Sequence, residues 1–470
     1  MAYNINDVGS KKEGAGLLSI GYIISISVTL VFVAFISILA SNKVKTSSDF
    51  CVGGRKLGSV LVSGSMVGAF VGGTSTVGTA QVAYLYGISG IWFTLGAGLS
   101  CLFLALFLAK PLRKSEVVTI PQLFESFYGK KAALWSVFFV SIGILVQVAA
   151  QVLSAVPVLT NMFALSPLVA VTLIITLIVC YSVFGGIWST GYVGIIKTIL
   201  LSTTLVAGGF IAYRLAEGIT GLQRGLGEGV WFSIFPHGIG VELGAGISVI
   251  VGFISTQTYL QIIFSAKSVK TAQRGSLIAA ILIPLTGLAS VLIGMFMRVA
   301  YPDINPASAL PMFVILHLGP GLGGIVLATL ILSLVMTGAA LTLGITTIIG
   351  KDIYQNIRPQ ATDKEMVWVF RFLIILISSI VFVFVTSNVN SLILEWAFLS
   401  MALRGATVFL PLLGIFFLKD RISPKISRWA ILIAPVIVIF WSIFAPKEIN
   451  PLYPGVVVSF LLLVLGYRKS

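Results

Sequence analysis

A chain of 470 residues that is 57% apolar and only 10% charged cannot clothe a soluble surface, where about a quarter of residues are usually charged. Its mean hydropathy is +1.07, and its apolar runs are continuous, which excludes the alternating strands of a β-barrel as well. The net charge of +15 would suit a nucleic-acid partner, but the basic residues are placed otherwise.

A polar leader precedes the first apolar run and carries no cleavable signal. Thirteen runs have membrane-crossing character, at 17–41, 58–84, 88–109, 133–160, 165–183, 189–213, 240–263, 275–297, 320–349, 367–387, 391–417, 429–446 and 451–467. The expected fold class is an all-α polytopic membrane protein, with lipid as its surroundings. Alternate connections hold 22 of the 30 basic residues, and the opposite set holds six. The positive-inside rule then puts the N-terminus outside and the C-terminus in the cytoplasm, in a cell membrane. The charge excess is a topology signal, and no nucleic-acid partner is expected.

The second run is unusual. From Leu57 to Ala109 there is no charged residue, yet Ser63–Tyr86 contains five glycines among Ser and Thr. Unpaired backbone groups are costly in lipid, so such a backbone opens only where protein or a water-filled cavity satisfies it. The stretch reads as a helix broken near mid-bilayer with its polar groups facing a site. The bland alternative is a continuous helix whose small residues allow close packing.

Further along, Gln147 and Gln151 share one helix face. They suit a ligand or interhelical hydrogen bonds equally. Lys197 stands about 13 Å of helix from the basic side, deep in its crossing. Ser255, Thr256, Gln257, Thr258 and Gln261 suggest a second polar break. Segment 303–313 reads as a short external helix or a re-entrant piece between crossings. Thr337, Gly338, Thr342 and Thr346 form a small, hydroxylated stripe, a pattern more common in packing than in ion sites. Arg404 is central in its helix, and Glu395, nine residues earlier, falls on the opposite side of a regular helix. Ionisable residues within crossings are functional candidates by default. For Arg404 and Glu395 the competing reading is packing against carbonyls.

Cys51, Cys101 and Cys180 show no paired spacing, and the two histidines belong to no metal-ligand cluster. No nucleophile and base stand together, and no connection is long enough for a catalytic domain. The chain is not expected to be an enzyme, and no cofactor is expected.

Five motifs in order resemble the sodium/solute symporter family, which includes proline, sialic acid, sugar and monocarboxylate carriers. They are GGRKLG at Gly53–Gly58, TIPQLFESFYG at Thr119–Gly129, YSVFGGIW at Tyr181–Trp188, SAKSVKTAQRG at Ser265–Gly275 and GKDIY at Gly350–Tyr354. The resemblance spans about residues 40–420. It implies a LeuT-like core of five plus five helices in inverted repeat, with repeats at 58–217 and 218–418. An extra helix in 1–57 would precede the core and two in 419–470 would follow it. The first and sixth core helices would be discontinuous, around Val67–Thr76 and Ile254–Gln261, with a small-molecule solute bound between them and alternating access to it.

The same resemblance implies a sodium site made of the carbonyls of Gly68, Val71 and Leu334 and of hydroxyls at positions 337 and 338. Here those two positions are Thr337 and Gly338, so one hydroxyl is missing. Two family positions after the double glycine, usually Asp and Gln, are Gly194 and Lys197. An acid has gone and a cation has arrived. At an effective dielectric near 20, two unit charges 4 Å apart interact by about 4 kcal/mol, more than one hydroxyl contributes. Lys197 is therefore expected to replace bound Na⁺. The carrier would then be sodium-independent: H⁺-coupled if Lys197 gives up its proton during the cycle, or a uniporter or exchanger if it stays charged. The alternative is an ordinary Na⁺-coupled symporter with a modified site.

Thr74, Ser75, Gln81, Gln151, Gln257 and Arg404 form the expected solute pocket, and Arg404 suits a carboxylate. An organic anion or amino acid is favoured over a neutral sugar. A channel would need a continuous polar lining, and a sensor would need a signalling domain; the sequence displays neither.

Overall fold

The computed structural model describes residues 20–41, 51–227, 229–389, 391–418, 421–445 and 449–467, with side chains omitted at 30, 32–41, 162 and 184–192. Among the described residues the structure is helical throughout, and only two isolated β-bridges occur. In lipid this is the economical solution, because a helix satisfies its own backbone.

Helix α1 covers Ile20–Ser41. Helix α2, Ser59–Phe70, stops at Val71 and resumes through a π-turn at Thr74–Gly78 into α3, Thr79–Tyr86. Helix α4 is Trp92–Phe103 and runs through a π-turn into α5, Ala109–Lys114. The short α6, Ile120–Tyr128, is capped by Thr119, whose hydroxyl accepts from the Gln122 amide. Helix α7 is Lys130–Phe163 and α8 is Pro167–Leu215.

Helix α8 cannot be straight. Lys197 donates to Thr337, while Ile178 lies so close to the neighbouring Gly338 that a Cβ there would meet it at 2.6 Å. Nineteen residues of straight helix would separate the two by about 28 Å, so the chain turns back between them. The sequence expects a turn at that place, between the runs 165–183 and 189–213.

After the short α9, Gly218–Leu226, helix α10, Ile239–Ile254, and α11, Gln257–Ser265, meet at a 44° bend. Helix α12 is Val269–Ala300 and α13 is Ala309–His317, the short helix expected in that connection. Helices α14, Pro320–Ile348, α15, Asp363–Thr386, α16, Ile393–Phe417, α17, Pro424–Phe444, and α18, Leu452–Leu465, complete the bundle. Both expected breaks exist, and each is narrower than its sequence window: Val71–Gly73 and Ser255–Thr256.

Among the described residues, eight helical stretches are long and apolar enough to cross a membrane, or nine if the bent pair α10–α11 is one span. The sequence expects thirteen crossings. Part of the difference lies in pieces such as Ser59–Phe70 and Leu452–Leu465, which are apolar but shorter than a full crossing.

The core sits around α14, 89% of whose most apolar window is buried. Helices α2, α7 and α8 pack on it, and α16 packs on α7 and α10. Small residues set the close approaches. A Cβ on Gly68 would lie 2.8 Å from the Cα of Gly194, and one on Gly252 would lie 2.5 Å from the Met401 carbonyl oxygen. Bundles in lipid are held by such packing and by interhelical hydrogen bonds rather than by expulsion of water.

Candidate functional site

The first break is held open by side chains. Gln151 of α7 accepts from the amide N–H of Gly73 at 2.8 Å and of Thr74 at 3.4 Å, and its Nε2 donates to Thr74 Oγ1 at 2.8 Å. Ser75 Oγ accepts from the Gly72 amide and donates to the Gly72 carbonyl, which Thr76 Oγ1 also reaches. Thr74, Ser75 and Gln151, expected to bind solute, thus meet at the break and spend their polar atoms on the broken backbone.

The carbonyls freed on the other side face Lys197. Its Nζ donates to the Gly68 oxygen at 2.6 Å, to Thr337 Oγ1 at 2.8 Å and to the Ser333 oxygen at 3.1 Å. Three donors meet three acceptors, which uses the whole hydrogen-bonding capacity of an ammonium. The residue is 2% exposed. No carboxylate pairs with it among the described residues.

Two details differ from the expected site. The oxygen on α14 that meets Lys197 belongs to Ser333, one residue before the expected Leu334. Leu334 instead directs its side chain at Gly73. The expected contact with the Val71 oxygen is also absent, because Ser333 Oγ donates to it at 2.7 Å. Gly338 offers no ligand and packs on Ile178. Ser333 carried a readable signal, since it precedes Thr337 by four residues and shares its helix face.

The second break is capped from α16. Arg404 is 0% exposed and crosses Gly143 of α7, where a Cβ would meet Arg404 Cγ at 2.5 Å. Its NH1 donates to Thr256 Oγ1 at 2.5 Å, its NH2 to Ser400 Oγ at 2.9 Å and to Gln147 Oε1 at 3.3 Å, and its Nε to the Ser400 oxygen at 3.0 Å. Glu395 lies elsewhere, on a cavity wall, as the nine-residue spacing implies. The expected pocket is therefore divided. Gln257 is not beside Arg404; it accepts from the Ile120 amide and donates to the Val118 oxygen, each at 2.9 Å. Gln81 is buried in α3, and its Oε1 has no partner among the described residues.

Between the two breaks stands an aromatic cluster that composition did not reveal. Phe253 and Tyr259 stack at 3.8 Å between centroids, and Phe70 touches both. Phe70 also stacks on Phe93 at 5.2 Å, and Phe93 meets Phe398 edge-on at 5.6 Å. Phe398 in turn lines a cavity of about 440 Å³ on the side away from the basic loops.

The basic side is tied shut. Leu57 donates to the Ser265 oxygen and accepts from Lys267 N, so the start of α2 pairs with the end of α11. Arg113 Nε donates to the Ala266 oxygen at 2.6 Å, and Gln261 Nε2 to the Cys51 oxygen at 2.5 Å. Thr119 Oγ1 donates to the buried Asp352 Oδ1 at 2.8 Å, which brings TIPQLFESFYG and GKDIY together. A helical bundle with two broken helices and one face tied by such bonds has the construction of an alternating-access carrier.

The sodium:solute symporter family model matches residues 50–422. The chain belongs to this family. It is 22% identical to an osmoregulated proline transporter of Bacillus subtilis over 94% of both chains. It is 25% identical to a human high affinity choline transporter, over 84% of this chain and 73% of that one. The solved structure of a Na⁺-coupled sialic acid symporter in a substrate-bound outward-open state superposes with a TM-score of 0.81, covering 96% of this chain and 97% of that one at 17% identity. The chain is thus a multi-pass membrane protein and a secondary active solute transporter, and its relatives are carriers, not enzymes.

Proposed function

We propose that this carrier moves a small organic solute without binding Na⁺ at the position described above, because the Lys197 ammonium occupies it. The observation that supports this is the set of three bonds to Gly68 O, Thr337 Oγ1 and Ser333 O. A backbone oxygen of α2, a backbone oxygen of α14 and a hydroxyl of α14 are the donor types a hard cation uses. Lys197 fills the space among them and adds a repelling charge. Transport is then driven by the H⁺ gradient when Lys197 releases its proton during the cycle, and by the solute gradient alone when it keeps it.

The solute class we propose is an organic anion or an amino acid. Lys197 and Arg404 are both buried without a paired carboxylate among the described residues. An anionic group between the two broken helices offsets this buried positive charge. The positive-inside pattern favours a cell membrane with the tied, basic face in the cytoplasm and the cavity outside.

The test is uptake into proteoliposomes of a labelled panel of organic acids and amino acids, with Na⁺ and H⁺ gradients imposed separately, on wild type and Lys197→Ala. The reading expects uptake indifferent to Na⁺ and lost in the variant. Wild-type uptake that requires Na⁺ would return the chain to the ordinary Na⁺-coupled symporters, with Lys197 as a packing residue.

A further inference from the structure

The cavity on the side away from the basic loops takes no part in the site around Lys197. Its volume of about 440 Å³ suits a small ligand. Its described ionisable side chains are Glu242, Glu395 and His237, and its walls include the rings of Tyr86, Phe398 and Trp441. Glu242 is 7% exposed and accepts from His237, Oε1 to Nδ1 at 2.8 Å. His237 in turn meets the Tyr86 ring edge-on at 4.5 Å, which fixes that wall. Glu395 sits in the first turn of α16 and makes no ion pair or hydrogen bond among the described residues.

An unpaired carboxylate beside aromatic walls has a defined complement. A bare metal ion asks for several oxygen ligands in a shell, and three of these walls are rings. A cation with apolar substituents gains from both, since the carboxylate offsets its charge and an aromatic face attracts it. We propose that this cavity is a binding site for an organic ammonium group.

The site is separate from the Arg404 position. Glu395 and Arg404 stand nine residues apart on α16, about 13 Å, so one small molecule does not touch both at once. A free organic cation and the amino end of a zwitterion on its way inward both carry such a group. The proposal does not rest on the lysine reading, and either can fail alone.

The test is calorimetric titration of tetramethylammonium into the purified full chain at constant ionic strength. Saturable binding is expected. Glu395→Gln should weaken it at least tenfold and Trp441→Leu at least threefold, while Lys197→Ala should leave it unchanged. Glu395→Asp keeps the charge and should bind within about threefold of wild type, which separates loss of charge from misfolding. No saturable binding, equal binding by Glu395→Gln with its fold intact, or displacement by NaCl as effective as by tetramethylammonium itself would overturn the proposal. Counterflow of the labelled probe distinguishes the two sources: exchange means that the cavity feeds the transport path, and absence of exchange gives a separate cation site.

Discussion

Gly68 of α2 and Gly194 of α8 meet backbone to backbone, so near that a Cβ on Gly68 would stand 2.8 Å from the Gly194 Cα. Lys197 follows Gly194 by three residues, one turn along the same face. This contact is what brings its side chain under the Gly68 oxygen. A bulkier residue at 194 would hold the two helices apart and pull the ammonium out of reach.

Gly194→Ala is therefore expected to harm both fold and transport. Its Cβ would meet the Gly64 oxygen at 2.6 Å, and relieving such overpacking costs about 1–3 kcal/mol. Thermal unfolding in detergent should show a lower midpoint, and uptake should fall at least tenfold. An unchanged midpoint would mean that α2 and α8 are not in contact there.

Gln151 replaces the helix hydrogen bonds that the break at Val71–Gly73 gives up. Gln151→Ala leaves the Gly73 and Thr74 amides without their acceptor, at about 1–3 kcal/mol for a buried polar group. Gln151→Glu keeps an acceptor for both amides and should be milder in the same unfolding experiment. If alanine is the milder of the two, the cap is not what holds the break.

For Arg404 the informative variants separate charge from structure. Arg404→Gln should weaken the apparent affinity for an anionic solute at least tenfold in uptake measurements. Thr256→Val removes only one of its contacts, worth about 0.5–1.5 kcal/mol, and should change affinity by less. Unaltered affinity in Arg404→Gln would leave Arg404 as the brace of the second break and no more.

The tie between Thr119 and Asp352 predicts an effect far from the solute. Thr119→Val removes both the cap of α6 and the bond to Asp352, and losing a cap alone costs about 0.5–2 kcal/mol. The basic face should then open more readily, which limited proteolysis at 110–120 on inside-out vesicles can follow. Asp352→Asn still accepts from Thr119 through its amide oxygen and should open less. Equal protection of wild type and Thr119→Val would remove this bond from the closure.

Much of this was legible in the residues. Continuous apolar runs and the loop distribution of Lys and Arg suffice for an all-helical membrane protein, because lipid leaves a backbone few other choices. Glycines and hydroxyls inside charge-free runs marked both breaks, since a broken helix in lipid must carry its own hydrogen-bond partners. Lys197 stood out because an ionisable residue at that depth is costly. The five motifs carried the family before any coordinates did.

What only the tertiary structure decided is which partner each polar group takes. Gln151 and Gln257 read alike in the sequence. One caps the first break and the other holds the loop before α6, because α7 and α11 present them to different gaps. Ser333 rather than Leu334 meets Lys197, and Ser333 also takes the Val71 oxygen, because helix rotation within the bundle sets which of two adjacent residues faces inward. Periodicity gives a face to within a residue or so, while a hydrogen bond is decided within half an ångström. The gap between the runs 165–183 and 189–213 marks a turn between Ile178 and Lys197, but only the folded chain seats both against neighbouring residues of α14.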